Sequence, residues 1–134
     1  MTKKSIVRVA DVMEQDYVTL EGVATVAEAL SSLVEKDAHV VIVAKRDADD
    51  EFGVVMLADI AKQVLARNRS PERTNIYEIM AKPALSVAPE MDIRYCARLF
   101  ENFGISTAPV IKDGEIQGIV TYDQLVLKGL ARQS

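Results

Sequence analysis

The chain has 134 residues, 49% of them hydrophobic and 27% charged, with a formal net charge of −4. That mix excludes a disordered polar chain and a membrane span, and the acidic balance argues against a protein that neutralises nucleic-acid phosphates. One cysteine, Cys96, and one histidine, His39, leave no internal disulfide and no zinc site of the usual spacing, so neither a structural metal nor a required cofactor is expected.

Lys3, Lys4 and Arg8 stand before no apolar core of the signal-peptide kind, and the expectation is a cytoplasmic protein with no membrane and no nucleic acid among its partners. Tyr17 to Leu20 predicts a short strand. Thr25-x-x-Glu28 is a capping box, opening a helix whose apolar stripe is Val26, Ala29, Leu30, Leu33 and Val34. Val40 to Ala44 is too short and too β-branched for a helix and predicts a buried strand, followed by the polar turn Lys45 to Glu51 and a second strand over Phe52 to Leu57. The acidic part of that turn, Arg46 to Glu51, lacks the glycine and the ligand order of a calcium loop and is expected to be a solvated hairpin. A helix over Ala58 to Arg67 follows. The polar stretch from Arg67 to Asn75, holding Pro71, is a connection in which Arg67, Arg69 and Arg73 are read as exposed linker residues.

Beyond the connection the order repeats. Leu85 to Val87 predicts a strand, Asp92 to Phe103 a helix ended by Gly104, Ala108 to Lys112 a strand, Asp113-Gly114 a hairpin turn, Glu115 to Thr121 a strand and Tyr122 to Ala131 a final helix. Met13 and Met80 stand 67 residues apart, and the same offset pairs Leu33 with Phe100, Ala38 with Ile105 and Val43 with Val110. The offset falls to 65 between Gly53 and Gly118, so the first copy carries two extra residues in its surface turn. The fold class is therefore α/β (α+β), with β-α-β-β-α written twice: a first repeat over 1–68 with the N-terminal segment, a linker at 69–75 and a second repeat over 76–134. Each copy buries one face of a small sheet and needs a partner surface, so the two are expected to pack about a pseudo-two-fold axis with ligand clefts between them.

Gly104-Ile105-Ser106-Thr107-Ala108-Pro109-Val110-Ile111, followed by Gly118-Ile119-Val120-Thr121, resembles the core of a CBS domain, the module of the cystathionine β-synthase type. Val12-Met13 and Ile79-Met80 resemble the short opening helix of such domains, and the resemblance runs from about Val9 to Leu130. It implies a stand-alone CBS pair (a Bateman module) that forms a homodimer and binds an adenosyl ligand such as AMP, ADP, ATP or S-adenosylmethionine. In ligand-binding members a Thr or Ser and, three residues on, an Asp open the last helix. The hydroxyl and the helix start receive phosphate while the carboxylate accepts the ribose hydroxyls. Here each copy keeps half of the pair: Met56 and Asp59 in the first, Thr121 and Gln124 in the second, with Asp123 displaced by one residue and about 100° around the helix.

The resemblance also places His39 and Ser106 at a strand edge lining the cleft, Thr19 and Ser86 near the opposite cleft, and the adjoining Val40 and Thr107 in the ligand set. Each has a plainer reading. Thr121-x-x-Gln124 satisfies a capping box, Asp59 sits where the helix dipole favours a carboxylate, and Thr19 and Ser86 are ordinary strand polarity. His39 is expected to be a partly buried structural histidine. Cys96 is expected to pack, and Met13, Met56, Met80 and Met91 to fill gaps in the core. The expected function is a regulatory ligand sensor signalling to an unknown effector protein, and its rival is a ligand-free dimerisation or protein-interaction module. An enzyme is disfavoured: there is no nucleophile with a nearby base, no recognisable carboxylate pair and no glycine-rich phosphate loop.

Overall fold

The computed structural model describes residues 6–131, so Lys3 and Lys4 lie outside the described residues. The chain divides into two compact units, and neither is one repeat of the sequence. One is continuous, Asp16–Ala84; the other joins the residues up to Gln15 with those from Leu85 onward.

In the continuous unit, β1 (Tyr17–Leu20) runs parallel to β2 (Val40–Val43), which pairs antiparallel with β3 (Gly53–Met56). The four residues of β2 are all buried, as a central strand of Val-Val-Ile-Val should be. The capping box opens α2 (Val26–Lys36): the Glu28 N–H donates to Thr25 Oγ1 at 3.1 Å and the Thr25 N–H to Glu28 Oε1 at 3.0 Å. Asp37, left-handed at φ 57°, ends it. α2 buries Val26, Ala29 and Leu33, but Val34, expected in the stripe, is 81% exposed because it lies one residue, about 100°, past Leu33.

This sheet is finished by the start of the second repeat. A 3-10 turn at Ile76–Glu78 seats Ile76 and Ile79 in the core, and Ala81 then exchanges both backbone hydrogen bonds with Val54 at 2.9 Å. The Ala84 N–H reaches the Phe52 carbonyl at 2.8 Å.

The other unit is built the same way. Its leading segment forms α1 (Val9–Val12), after which Glu14 exchanges backbone hydrogen bonds with Ile119 at 2.8 and 2.9 Å. β4 (Thr107–Lys112) and β5 (Glu115–Thr121) form a hairpin whose turn residues, Asp113 and Gly114, both have positive φ (53° and 77°), the geometry that suits a two-residue turn. α4 (Ile93–Phe103) is capped by Asp92, whose carboxylate accepts the Arg94 N–H at 2.9 Å, and is stopped by Gly104 at φ 64°. Phe100 is fully buried at the centre, edge-on to the Tyr122 ring with centroids 5.2 Å apart.

The strand expected over Leu85 to Val87 reduces to one residue, Val87, which bridges Val110. The reason stands in β4. Val87 donates to the Pro109 carbonyl and accepts from the Ile111 N–H, but Pro109 has no N–H with which to continue the ladder to Leu85. In the continuous unit the same place holds Ile42, and the three-stranded sheet is complete.

Both final helices also depart from expectation. α3 (Leu57–Ile60) gives way to a π-helical turn over Ala61–Leu65, and α5 (Tyr122–Gln124) to one over Leu125–Leu130. The Ala66 N–H accordingly reaches back five residues to Ala61. Gly129 lets the second of these lie close on α4, since a Cβ there would come 2.5 Å from Ile93 Cδ1. No helix among the described residues is long and apolar enough to cross a membrane.

Candidate functional site

Register decides which candidate residues meet. In the continuous unit Tyr17 pairs with Val40 and Val40 with Met56, so His39, Val40, Met56 and Asp59 gather at one end of the sheet. Thr19 pairs with Ile42, two residues farther along, and is exposed. Asp59 is the third residue of α3. Its Oδ2 accepts the Met56 N–H at 2.8 Å and no bond to its Oδ1 is formed among the described residues, so one carboxylate oxygen holds the helix start and the other remains for an incoming donor. Met56 presents a half-buried thioether where a hydroxyl would stand. His39 is exposed, against the expectation of partial burial: Ala38 turns inward to the core and Val40 begins the strand, so the alternation puts His39 outside.

The other unit brings together Ser106, Thr107, Thr121 and Gln124. Thr107 pairs with Thr121 across the hairpin, and the Ser106 carbonyl accepts the Tyr122 N–H at 3.3 Å. Gln124 Oε1 accepts both the Thr121 N–H at 2.7 Å and the Thr121 hydroxyl at 2.9 Å. The carboxamide thus does for this helix start what the Asp59 carboxylate does for the other, without the charge. Thr107 is buried and Ser106 exposed; Asp123 and Ser86 are exposed and outside this group.

Two features were missed by sequence reasoning. The acidic turn is not simply solvated: the Asp50 side chain is 7% exposed, with Lys82 Nζ 2.6 Å from Oδ1 and Arg46 Nε 3.1 Å from Oδ2. The Lys82 ammonium, followed by the Arg46 N–H, holds the Asp50 carboxyl well below the usual carboxylate range. Arg46 and Asp50 are four apart, a readable spacing; Lys82 comes from the far side of the connection and leaves no local signal. The second feature is a cavity of about 650 Å³ at the opposite end of the three-stranded sheet from Asp59, where Leu20, Val43 and Gly53 meet. Of the linker arginines, Arg69 is paired with Glu78 at 2.8 Å. Cys96 packs fully buried, and burial pushes its thiol up to about 11, away from reactivity.

The family model described as CBS domain matches residues 9–66 and 76–129. Among solved structures, the chain is similar to the hexameric CBS-CP12 protein from bloom-forming cyanobacteria, with 37% identity and a TM-score of 0.89 over 92% of this chain and 72% of that one. It shares its fold with a CBS domain pair in complex with 5′-methylthioadenosine and S-adenosyl-L-methionine (23% identity, TM-score 0.79, 96% of this chain and 99% of that one). It shares it also with a CBS domain protein from Pyrobaculum aerophilum complexed with AMP (19% identity, TM-score 0.79, 95% and 98% of the two chains). The curated relatives are longer: the chain spans 61% and 59% of the length of the first two that it matches.

Proposed function

Because the chain belongs to the CBS domain family, we propose that it is a regulatory ligand-sensing module, not an enzyme, which binds an adenine nucleotide or another adenosyl ligand and signals to a separate effector protein. The observation that carries this reading is Asp59. It matches the acid of the family's ribose motif by sequence position, and its carboxylate has one oxygen engaged by its own helix start and the other uncommitted. A carboxylate so held is a rigid acceptor for a vicinal diol. The ligands bound by the two fold relatives, AMP in one and S-adenosylmethionine with methylthioadenosine in the other, support that chemical class, to which ADP and ATP also belong. Signalling then needs only that the ligand prefer one of two arrangements of the protein. We further assign a homodimer, because Leu57 and Leu65 on one unit and Val126, Leu127 and Leu130 on the other are large apolar side chains left exposed.

One observation favours the rival, a ligand-free dimerisation or interaction module: the Thr121 hydroxyl is already donated to Gln124. A thermal-shift panel with AMP, ADP, ATP, S-adenosylmethionine and GTP separates the two. An adenosyl ligand present at 100 times its Kd adds about 2.7 kcal/mol to the folded state and raises Tm. Asp59→Ala abolishes that shift. If no adenosyl ligand moves Tm at millimolar concentration, the interaction-module reading replaces this one.

A further inference from the structure

The duplication supplies an internal control for the cavity at the far end of the three-stranded sheet. It is lined by Val43, Tyr77 and Met80 and by the charged side chains of Lys45, Arg46, Lys82 and Glu21. Counting Asp50, which pairs with both Arg46 and Lys82, these five charged side chains sum to one positive charge. Lys45 is the cation left over. It has no carboxylate partner among the described residues and rests over the Phe52 ring, 5.0 Å from the centroid.

In the second copy the counterpart of Lys45 is Lys112, and it is not left over. Glu90 reaches it at 2.5 Å, and Glu90 is the counterpart of Val23, which in the cavity is an exposed valine. The other members of the corner change in the same sense. Arg46 corresponds to Asp113, Tyr77 to Ala10, and Lys82 to Gln15, whose Nε2 merely donates to the Gln117 carbonyl at 2.8 Å. One copy therefore carries its own carboxylate for the corner lysine; the other omits that carboxylate, adds two cations and opens a space beside an aromatic ring that is 53% exposed. A volume of about 650 Å³ with apolar walls and a few convergent polar groups suits a small organic molecule.

We propose that this corner is a second ligand site, separate from the Asp59 end, for a small molecule carrying one oxyanionic head, carboxylate or phosphate, on an apolar or aromatic body. The head takes the place that Glu90 occupies in the other copy, against Lys45 with Arg46 and Lys82 beside it. The body lies on Val43, Met80 and the Tyr77 ring. The net of one positive charge and the Glu21 carboxylate on the lining favour a monoanion over a polyphosphate.

The test is an NMR titration of the full chain with benzoate, phenyl phosphate and, as a neutral control, benzyl alcohol. Benzoate or phenyl phosphate perturbs Gly22, Val43, Lys45 and Tyr77 saturably, the stronger of the two identifying the head group, and benzyl alcohol does not. Val23→Glu, an exposed position given the carboxylate the other copy has, weakens that binding about tenfold or more, and Lys45→Met does likewise. Neither variant alters Tm or the adenosyl-ligand shift of the Asp59 site, so failure of one site is distinguishable from failure of the other. The proposal is overturned if neither anion perturbs these residues at millimolar concentration, if benzyl alcohol perturbs them equally, or if anion binding persists undiminished in Lys45→Met.

Discussion

The two helix starts, Met56–Asp59 in the continuous unit and Thr121–Gln124 in the other, answer one backbone requirement with different chemistry. In each, an acceptor on the third helical residue takes the N–H of the residue before the helix, at 2.8 Å from a carboxylate and 2.7 Å from a carboxamide. What differs is what is left for a ligand. Asp59 keeps a charge and an uncommitted oxygen, whereas Gln124 brings no charge and also occupies the only hydroxyl in either pair. Duplication thus conserves what the backbone demands at that place and leaves the recognition chemistry free to diverge. The same lesson holds at the opposite sheet end, where Lys112 has an internal carboxylate and Lys45 does not.

If the copies share a frame but not its packing, equivalent substitutions must separate. The largest costs are expected at the core anchors: Phe100→Ala removes a fully buried ring with an edge-on partner and costs about 3–5 kcal/mol in urea unfolding, while its counterpart Leu33→Ala, 4% exposed, costs about 2–4. Equal costs would mean that the edge-on Tyr122 contact adds nothing to the burial of Phe100. Smaller costs, but a clearer separation, are expected at the paired glycines. A Cβ on Gly118 would meet the Glu14 carbonyl oxygen at 2.9 Å, a backbone atom that cannot step aside; a Cβ on Gly53 would meet the flexible Met80 Sδ at 2.7 Å. Gly118→Ala should therefore cost about 2–3 kcal/mol and Gly53→Ala about 1 or less.

The smallest effect concerns the two turns. Asp50 is held ionised by Lys82 and Arg46, so its contribution is complete above the ordinary carboxylate range and is lost as pH falls through that range toward its depressed value. The difference in urea midpoint between wild type and Asp50→Asn is accordingly present at neutral pH and shrinks below about pH 4. Asp113→Asn, in an exposed turn where asparagine also accepts φ 53°, changes the midpoint little at either pH.

Much of this was legible in the residues. The repeat shows in self-comparison at a fixed offset, and the capping box at Thr25, the Gly104 stop, the buried β2 and the Asp113-Gly114 turn each follow from short-range residue chemistry. What escaped was long-range or subtractive. Nothing local announces that Ala81 will pair with Val54, or Lys82 with Asp50. The missing strand at Leu85 is a subtraction, caused by an absent N–H on Pro109, a residue otherwise read as part of a good strand. The outward turn of His39 and the wide π turns depend on how neighbouring residues settle against the core, which periodicity alone does not report. At the candidate site, Asp59 and Thr121 were nameable as candidates from their motif positions, but only the fold reveals that Gln124 holds the threonine hydroxyl.

The unequal continuity of the two units sets an order of events during synthesis. Everything that Asp16–Ala84 needs, including the segment that completes its sheet edge, has been made once Ala84 is added. The other unit must hold its leading segment in reserve until Ile119, partner of Glu14, is made, with an entire finished unit between the two. A ribosome delivering these residues therefore completes Asp16–Ala84 before the other unit can close around the segment that ends at Gln15, so cutting the gene at the connection near Pro71 would separate each sheet from its own last strand partner.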